Sequence, residues 1–131
     1  MERVSSNQIT HLEDDEIFVF GSNLEGMHGG GAALLAANKF GAKWGIGVGL
    51  TGRCYAIPTM HGGVNDIRSY IDDFINYAKK HSSLKFLVTE IGCGIAGFKV
   101  EEIAPLFKDA MTVKNIYLPK RFWDVLKSMN S

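Results

Sequence analysis

The stretch FVFGSNLEGMHGGGAALLAANKFG, from Phe18 to Gly41, decides how this chain is read. An apolar strand-like run gives way to a loop studded with glycine, and the loop opens into GGAALLAANKF, Gly30 to Phe40, whose small residues suit a closely packed helix. Glycine is favoured where the backbone takes unusual dihedrals or must approach a ligand closely. All 15 glycines of the 131 residues lie between Gly21 and Gly97, a content above the average of roughly 7 %. The working loops are therefore expected in the middle of the chain, and scaffold at its ends.

Outward from that stretch, EIFVF (Glu16–Phe20) and KFLVTEIG (Lys85–Gly92) are short apolar runs ending at glycine. CYAIP (Cys54–Pro58) and NIYLP (Asn115–Pro119) end at proline. All four read as buried strands. Between them Ile67, Tyr70, Ile71, Phe74, Ile75 and Ala78 recur at helical spacing and predict an amphipathic helix. Asn65 or Asp66 is its candidate cap, and Lys79, Lys80 and His81 suit its negative end. Pro105 predicts a turn over Val100–Ile103 with helix proper from Ala104, and a last amphipathic helix is expected over Arg121–Met129. Strands alternating with helices make an α/β domain with a mostly parallel sheet, and 131 residues suit one domain spanning positions 1–131.

Charge narrows the partners. Fourteen Lys and Arg balance fourteen Asp and Glu, so no field of one sign draws the chain to nucleic acid in general or to an anionic membrane. No signal-peptide core and no run of 18 apolar residues occurs, which predicts a soluble, cytoplasmic chain. Cys54 and Cys93 have neither C-x-x-C spacing nor a nearby His pair, so reduced thiols are expected, with no zinc site.

The chemistry is expected in GSNLEGMHGGGAA after Phe20 and GCGIAGF after Ile91, both at the ends of predicted strands. Only Glu25 and His28 are ionisable between Gly21 and Leu34, and only Cys93 can titrate between Gly92 and Phe98. Backbone N–H groups at a helix start, with the helix dipole, make an anion site that needs no cationic side chain. No G-x-x-x-x-G-K-[ST] is present, so a phosphodiester or diphosphate held without cleavage fits better than an NTPase. GVGLTG (Gly47–Gly52) matches G-x-G-x-x-G but runs into a strand, which removes the dinucleotide-fold reading. Glu90 is read as a structural partner of Arg53 or of a backbone donor before a base, His28 and His61 as solvated loop residues before site residues, and Trp44 and Trp123 as packing residues.

VFGSNLEGMHGGGAALLAANKFG followed by IGCGIAGF resembles the two binding loops of the macrodomain family, and NQITHLEDDEIFVFGSN resembles that family's N-terminal segment. GGGAALLAANKFG with IGCG is most similar to the branch that contains terminal ADP-ribose protein glycohydrolases. The resemblance implies a three-layer α/β/α macrodomain-like fold that binds ADP-ribose or a derivative. It implies that Gln8 and Ile9 lie by the adenine, that Gly21 and Ser22 lead into the first loop, and that Asn23 contacts the distal ribose. Gly29, Gly30, Gly31 and Ala32, with His28 beside them, would line the diphosphate. Cys93, Gly94, Ile95, Ala96, Gly97 and Phe98 would close over it, with Phe98 beside the terminal ribose. The glycohydrolases' lysine is replaced by Thr59 or Met60 and their aspartate by Ala96 or Gly97. The implied function is a reader or sequestering module for free ADP-ribose or an ADP-ribosylated macromolecule, without cofactor. The alternatives are a hydrolase that removes ADP-ribose from protein, nucleic acid or acyl groups, and a structural domain without ligand.

Overall fold

In a computed structural model, residues 3–94 and 96–129 are described. Six strands form one sheet: β1 (Val4–Ser5), β2 (Glu16–Ser22), β3 (Gly49–Thr51), β4 (Cys54–Pro58), β5 (Lys85–Val88) and β6 (Ile116–Pro119). Their order is β1-β6-β5-β2-β4-β3. Every pair is parallel except β3 with β4, which form a hairpin. Helices α1 (Gly31–Lys39), α2 (Val64–Lys80), α3 (Val100–Ile103) and α4 (Lys120–Met129), with a 3-10 segment over Ala104–Thr112, connect and follow the strands. Among the described residues no helix is long and apolar enough to cross a membrane.

Side chains alternate across a strand, and β2 uses both of its faces. Ile17 and Val19 join the larger core with Tyr55, Ile57, Phe86, Val88 and the buried stripe of α2, Ile67, Ile71, Phe74, Ile75 and Ala78. Phe18 and Phe20 join a smaller core with Cys54, Ala56 and, from α1 and its exit, Ala36 and Phe40. Helices thus pack on both faces. The small residues of α1 let it lie close over β2 and β4, and Cys54, fully buried there, has its thiol pKa pushed up to about 12 by desolvation.

The strand and helix expectations hold with small changes at the ends. The helix over Ile67–Ala78 starts earlier, with Gly63 as its N-cap, and Asp66 reaches back to accept the Gly63 N–H at 2.8 Å. The order expected around Pro105 is reversed. Val100–Ile103 is an α-turn and the chain from Ala104 is 3-10, because Pro105 has no N–H for the α-helical bond and the chain tightens around it. GVGLTG supplies β3 and the hairpin turn, with Gly52 at φ +58, consistent with the strand context read from the sequence.

Candidate functional site

β2, β4 and β5 are adjacent and parallel, so the segments that leave them emerge on one edge of the sheet, the edge where open α/β sheets bind ligands. A cleft of about 460 Å³ opens there. From the first loop it takes Gly21, Ser22, Asn23, Gly29, Gly30, Gly31 and Ala32, and from the second Gly94 and Ala96. Thr59 and Met60 enter after β4, and Thr89, Glu90, Ile91 and Gly92 after β5. Met27 and Ala33 also contribute. These last eight residues were not named as site residues from the sequence. The signal that finds them is positional, since each follows a strand on the same edge or borders a named site residue.

At Gly21 the first loop passes close to the segments that follow β4 and β5. A Cβ there would stand 3.1 Å from Thr59 Oγ1 and 3.4 Å from the Gly92 nitrogen. Gly30 is the N-cap of α1, with φ −162° and ψ 166°, no side-chain cap and no acidic residue in the first turn. The first amides of a helix have no intrahelical acceptor, so this helix start faces the cleft with backbone donors and the positive end of its dipole. Gly31 follows at φ +57°, a conformation that glycine adopts without the strain a Cβ brings.

The wall formed by residues 22–28 is braced from behind. Asn23 Oδ1 accepts the Met27 N–H at 2.9 Å and its Nδ2 donates to the Met27 carbonyl at 3.0 Å. Asn23 therefore shapes the loop while lining the cleft, and its amide keeps one N–H and one lone pair for a ligand. Ser22 Oγ donates to the Gly47 carbonyl, and His61 Nε2 accepts the Leu24 N–H at 3.0 Å while standing 3.3 Å from Glu25. His28 is fully buried, not solvated, and does not line the cleft. Its Nε2 donates to the Lys43 carbonyl at 2.9 Å, its ring edge meets Phe20, and its Nδ1 has no hydrogen-bond partner among the described residues. Trp44, expected to pack, is 55 % exposed beside it, whereas Trp123 is buried and donates to the Arg3 carbonyl at 2.8 Å.

Glu90 is the only charged residue among the described residues of the cleft wall. Its partner is Arg121 of α4, not Arg53: Arg121 Nε donates to Glu90 Oε2 at 2.7 Å and Nη2 to Oε1 at 2.6 Å. Arg53 instead donates to the carbonyls of Leu12 and Glu13. The Arg121 guanidinium holds the Glu90 carboxyl below its usual 4.5 against the opposing effect of burial. A carboxyl lowered in the folded state adds stability that is fully present above its unfolded value and is lost as pH falls through the folded one. Arg121→Gln is therefore expected to lower the melting temperature by the same amount at all pH values well above 4.5. The difference from the parent should shrink as pH falls below that value. A constant difference down to the lowest pH would show that the pair contributes through packing alone.

The second loop is held by its own backbone, with Cys93 N–H donating to the Glu90 carbonyl at 3.2 Å and Phe98 N–H to the Gly92 carbonyl at 2.8 Å. Phe98 and Cys93 pack against the larger core and do not line the cleft. Burial, with Glu90 nearby, pushes the Cys93 thiol up to about 11, far from a reactive thiolate. Gly97 is exposed outside the cleft wall, and Ile95 lies outside the described residues. Gln8 is exposed and does not line the cleft, while its neighbour Ile9 lines a second hollow of about 270 Å³ with Ser6, Asn7, Phe18 and Leu35 but not Gln8. Gly31, Ala32 and Thr89 border both spaces, so the two are neighbours around the start of α1. Among the described residues no group of three His, Cys, Asp or Glu side chains is placed to hold a metal ion. No family model, curated protein or solved structure matches the chain.

Proposed function

We propose that this chain is a three-layer, macrodomain-like module that binds ADP-ribose or a derivative, as a reader or sequestering protein. The observation that carries this reading is the uncapped start of α1 opening into a glycine-lined cleft that has a smaller apolar hollow beside it. A diphosphate fits the backbone donors of Gly30 to Ala32. A flat base fits beside Ile9, Phe18 and Leu35, and a cleft of this volume lies within the usual range for small-molecule sites. Binding is favoured over hydrolysis by the chemistry of the wall. By the resemblance, Thr59 or Met60 takes the place of the glycohydrolases' lysine, and the single carboxylate among the described wall residues, Glu90, is engaged on both oxygens by Arg121.

Calorimetric titration with ADP-ribose, AMP and NAD tests the reading. ADP-ribose is expected to bind equally well with magnesium and with a chelator, because backbone amides take the role a metal plays in other phosphate sites. Its affinity should depend only modestly on salt, as no side-chain cation lines the cleft. A strict magnesium requirement would overturn the backbone cradle, and failure of all three nucleotides to bind would overturn the reading itself.

A further inference from the structure

Buried donors without acceptors are rare in a folded chain, because an unpaired N–H or O–H away from water forfeits its bonds to solvent. Two of them meet in the wall of the cleft. Thr59 is 4 % exposed and lines the cleft; its N–H donates to the Ser22 carbonyl at 2.9 Å, but its hydroxyl has no hydrogen-bond partner among the described residues. That hydroxyl is not sealed in, since among the described residues His28 Nδ1 is the single enclosed side-chain polar atom without a partner. It opens to the cleft. Gly92 is buried and lines the cleft too; its carbonyl accepts the Phe98 N–H at 2.8 Å, whereas its own N–H has no acceptor among the described residues.

Gly21 stands between the two. The position that a Cβ on Gly21 would take lies 3.1 Å from Thr59 Oγ1 and 3.4 Å from the Gly92 nitrogen, so both donors flank one spot, and glycine leaves that spot open. The φ of Gly21 is not positive, so its backbone conformation does not require glycine. An occupant must accept hydrogen bonds, since the Gly92 N–H can only donate. An anionic oxygen gains most from two such donors, because a hydrogen bond to a charged acceptor is about twice as strong as a neutral one. The wall does not repel it, as Glu90 is held on both oxygens by Arg121. A diphosphate has two phosphoryl groups, and the start of α1 lines the same cleft with further backbone donors. Resting on the nucleotide-binding reading above, which it deepens, we propose that the Thr59 hydroxyl and the Gly92 N–H form a two-donor seat for one phosphoryl oxygen, in ADP-ribose an oxygen of its diphosphate.

The test follows the Gly92 amide by NMR of the isotope-labelled protein and affinity by calorimetry. The probes are ADP-ribose, inorganic pyrophosphate and adenosine, which has no phosphate. The Gly92 amide proton is expected to move downfield with ADP-ribose and with pyrophosphate, as an unpaired N–H gains a charged acceptor, and to stay in place with adenosine. Thr59→Val replaces the hydroxyl by a methyl of like size. Because that hydroxyl has no internal partner to lose, the variant should be at least as stable as the parent without ligand. Its affinity for ADP-ribose should nonetheless fall by about tenfold or more, the loss of one hydrogen bond to a charged group. Thr59→Ser keeps the hydroxyl and should retain most of the affinity. Gly21→Ala sets its methyl on the spot itself and should abolish the Gly92 shift. A less stable Thr59→Val would show the hydroxyl to be structural and overturn its part in the seat, and a shift with adenosine as large as with pyrophosphate would overturn the phosphoryl assignment. If ADP-ribose binds with Gly92 unmoved, and binds Thr59→Val as it binds the parent, the seat falls while the nucleotide reading stands. If ADP-ribose does not bind but pyrophosphate moves Gly92, the seat is supported and the nucleotide reading falls; if neither binds, both fall.

Discussion

Gly30→Glu is expected to abolish ADP-ribose binding while leaving the protein folded. Gly30 lines the cleft as the N-cap of α1, and its φ of −162° is extended backbone that any residue adopts, so a side chain brings no dihedral strain. A carboxylate there meets the positive end of the helix dipole, which favours it by about 0.3–1 kcal/mol. Stability is thus unchanged or slightly raised. The same carboxylate occupies the place proposed for the diphosphate. At about 4 Å and an effective dielectric near 20, one unit of repulsion is worth roughly 4 kcal/mol, or about a thousandfold in affinity. Gly30→Ala carries the side-chain carbon without the charge and should keep most of the binding. A folded Gly30→Glu protein with near-parental affinity would show that the loop only connects β2 to α1.

What the sequence made legible, and what it hid, follows from the range of each interaction. The strands β2, β4, β5 and β6 and the helices α1, α2 and α4 carry local signals: apolar runs closed by glycine or proline, and a stripe at helical spacing through Phe74. β1 and β3 have two and three residues, too few for any period, and exist because β6 and β4 offer them an edge. The glycine loops announced the cleft, yet about a third of its wall, Thr59, Met60 and Thr89 to Gly92, comes from strand ends whose convergence is set by sheet order. Glu90 found its partner 31 residues away on α4; nothing local to either residue distinguishes Arg121 from Arg53 as that partner. His28 looked like a loop histidine because its burial depends on Phe20 beneath it and the Lys43 carbonyl beside it. The same long-range bracing, between residues 22–28 and 43–48, decides the effect of the next substitution.

Gly26→Ala is expected to be among the most damaging single-methyl changes in the loops. Gly26 is buried at φ +69°, where an L side chain costs roughly 1–2 kcal/mol. Its N–H donates to the Asn23 carbonyl at 3.1 Å and its own carbonyl accepts the Gly45 N–H at 2.9 Å, so it is stitched to both segments. An added Cβ would fall onto the Gly45 carbonyl carbon and the Ile46 nitrogen, and within 2.7 Å of Gly45 Cα. These are backbone atoms that cannot swing aside, so the two segments must separate, at an overpacking cost of about 1–3 kcal/mol. Together the two effects give a loss of roughly 2–5 kcal/mol in urea unfolding, a large share of a typical domain's 5–15 kcal/mol. Gly41→Ala separates them: its φ is +80°, but the nearest atom, Gly52 Cα, lies at an ordinary 3.5 Å, so it reports the dihedral cost alone. Separation should also carry Ser22, Asn23 and Met27 out of place, since Ser22 is tied to Gly47 and the Asn23 amide to Met27. ADP-ribose affinity should then fall by at least about tenfold even where the protein remains folded. If Gly26→Ala unfolds no more easily than Gly41→Ala and binds as the parent does, the segment at 43–48 does not brace the cleft, and the wall stands by the hydrogen bonds of Asn23 and His61.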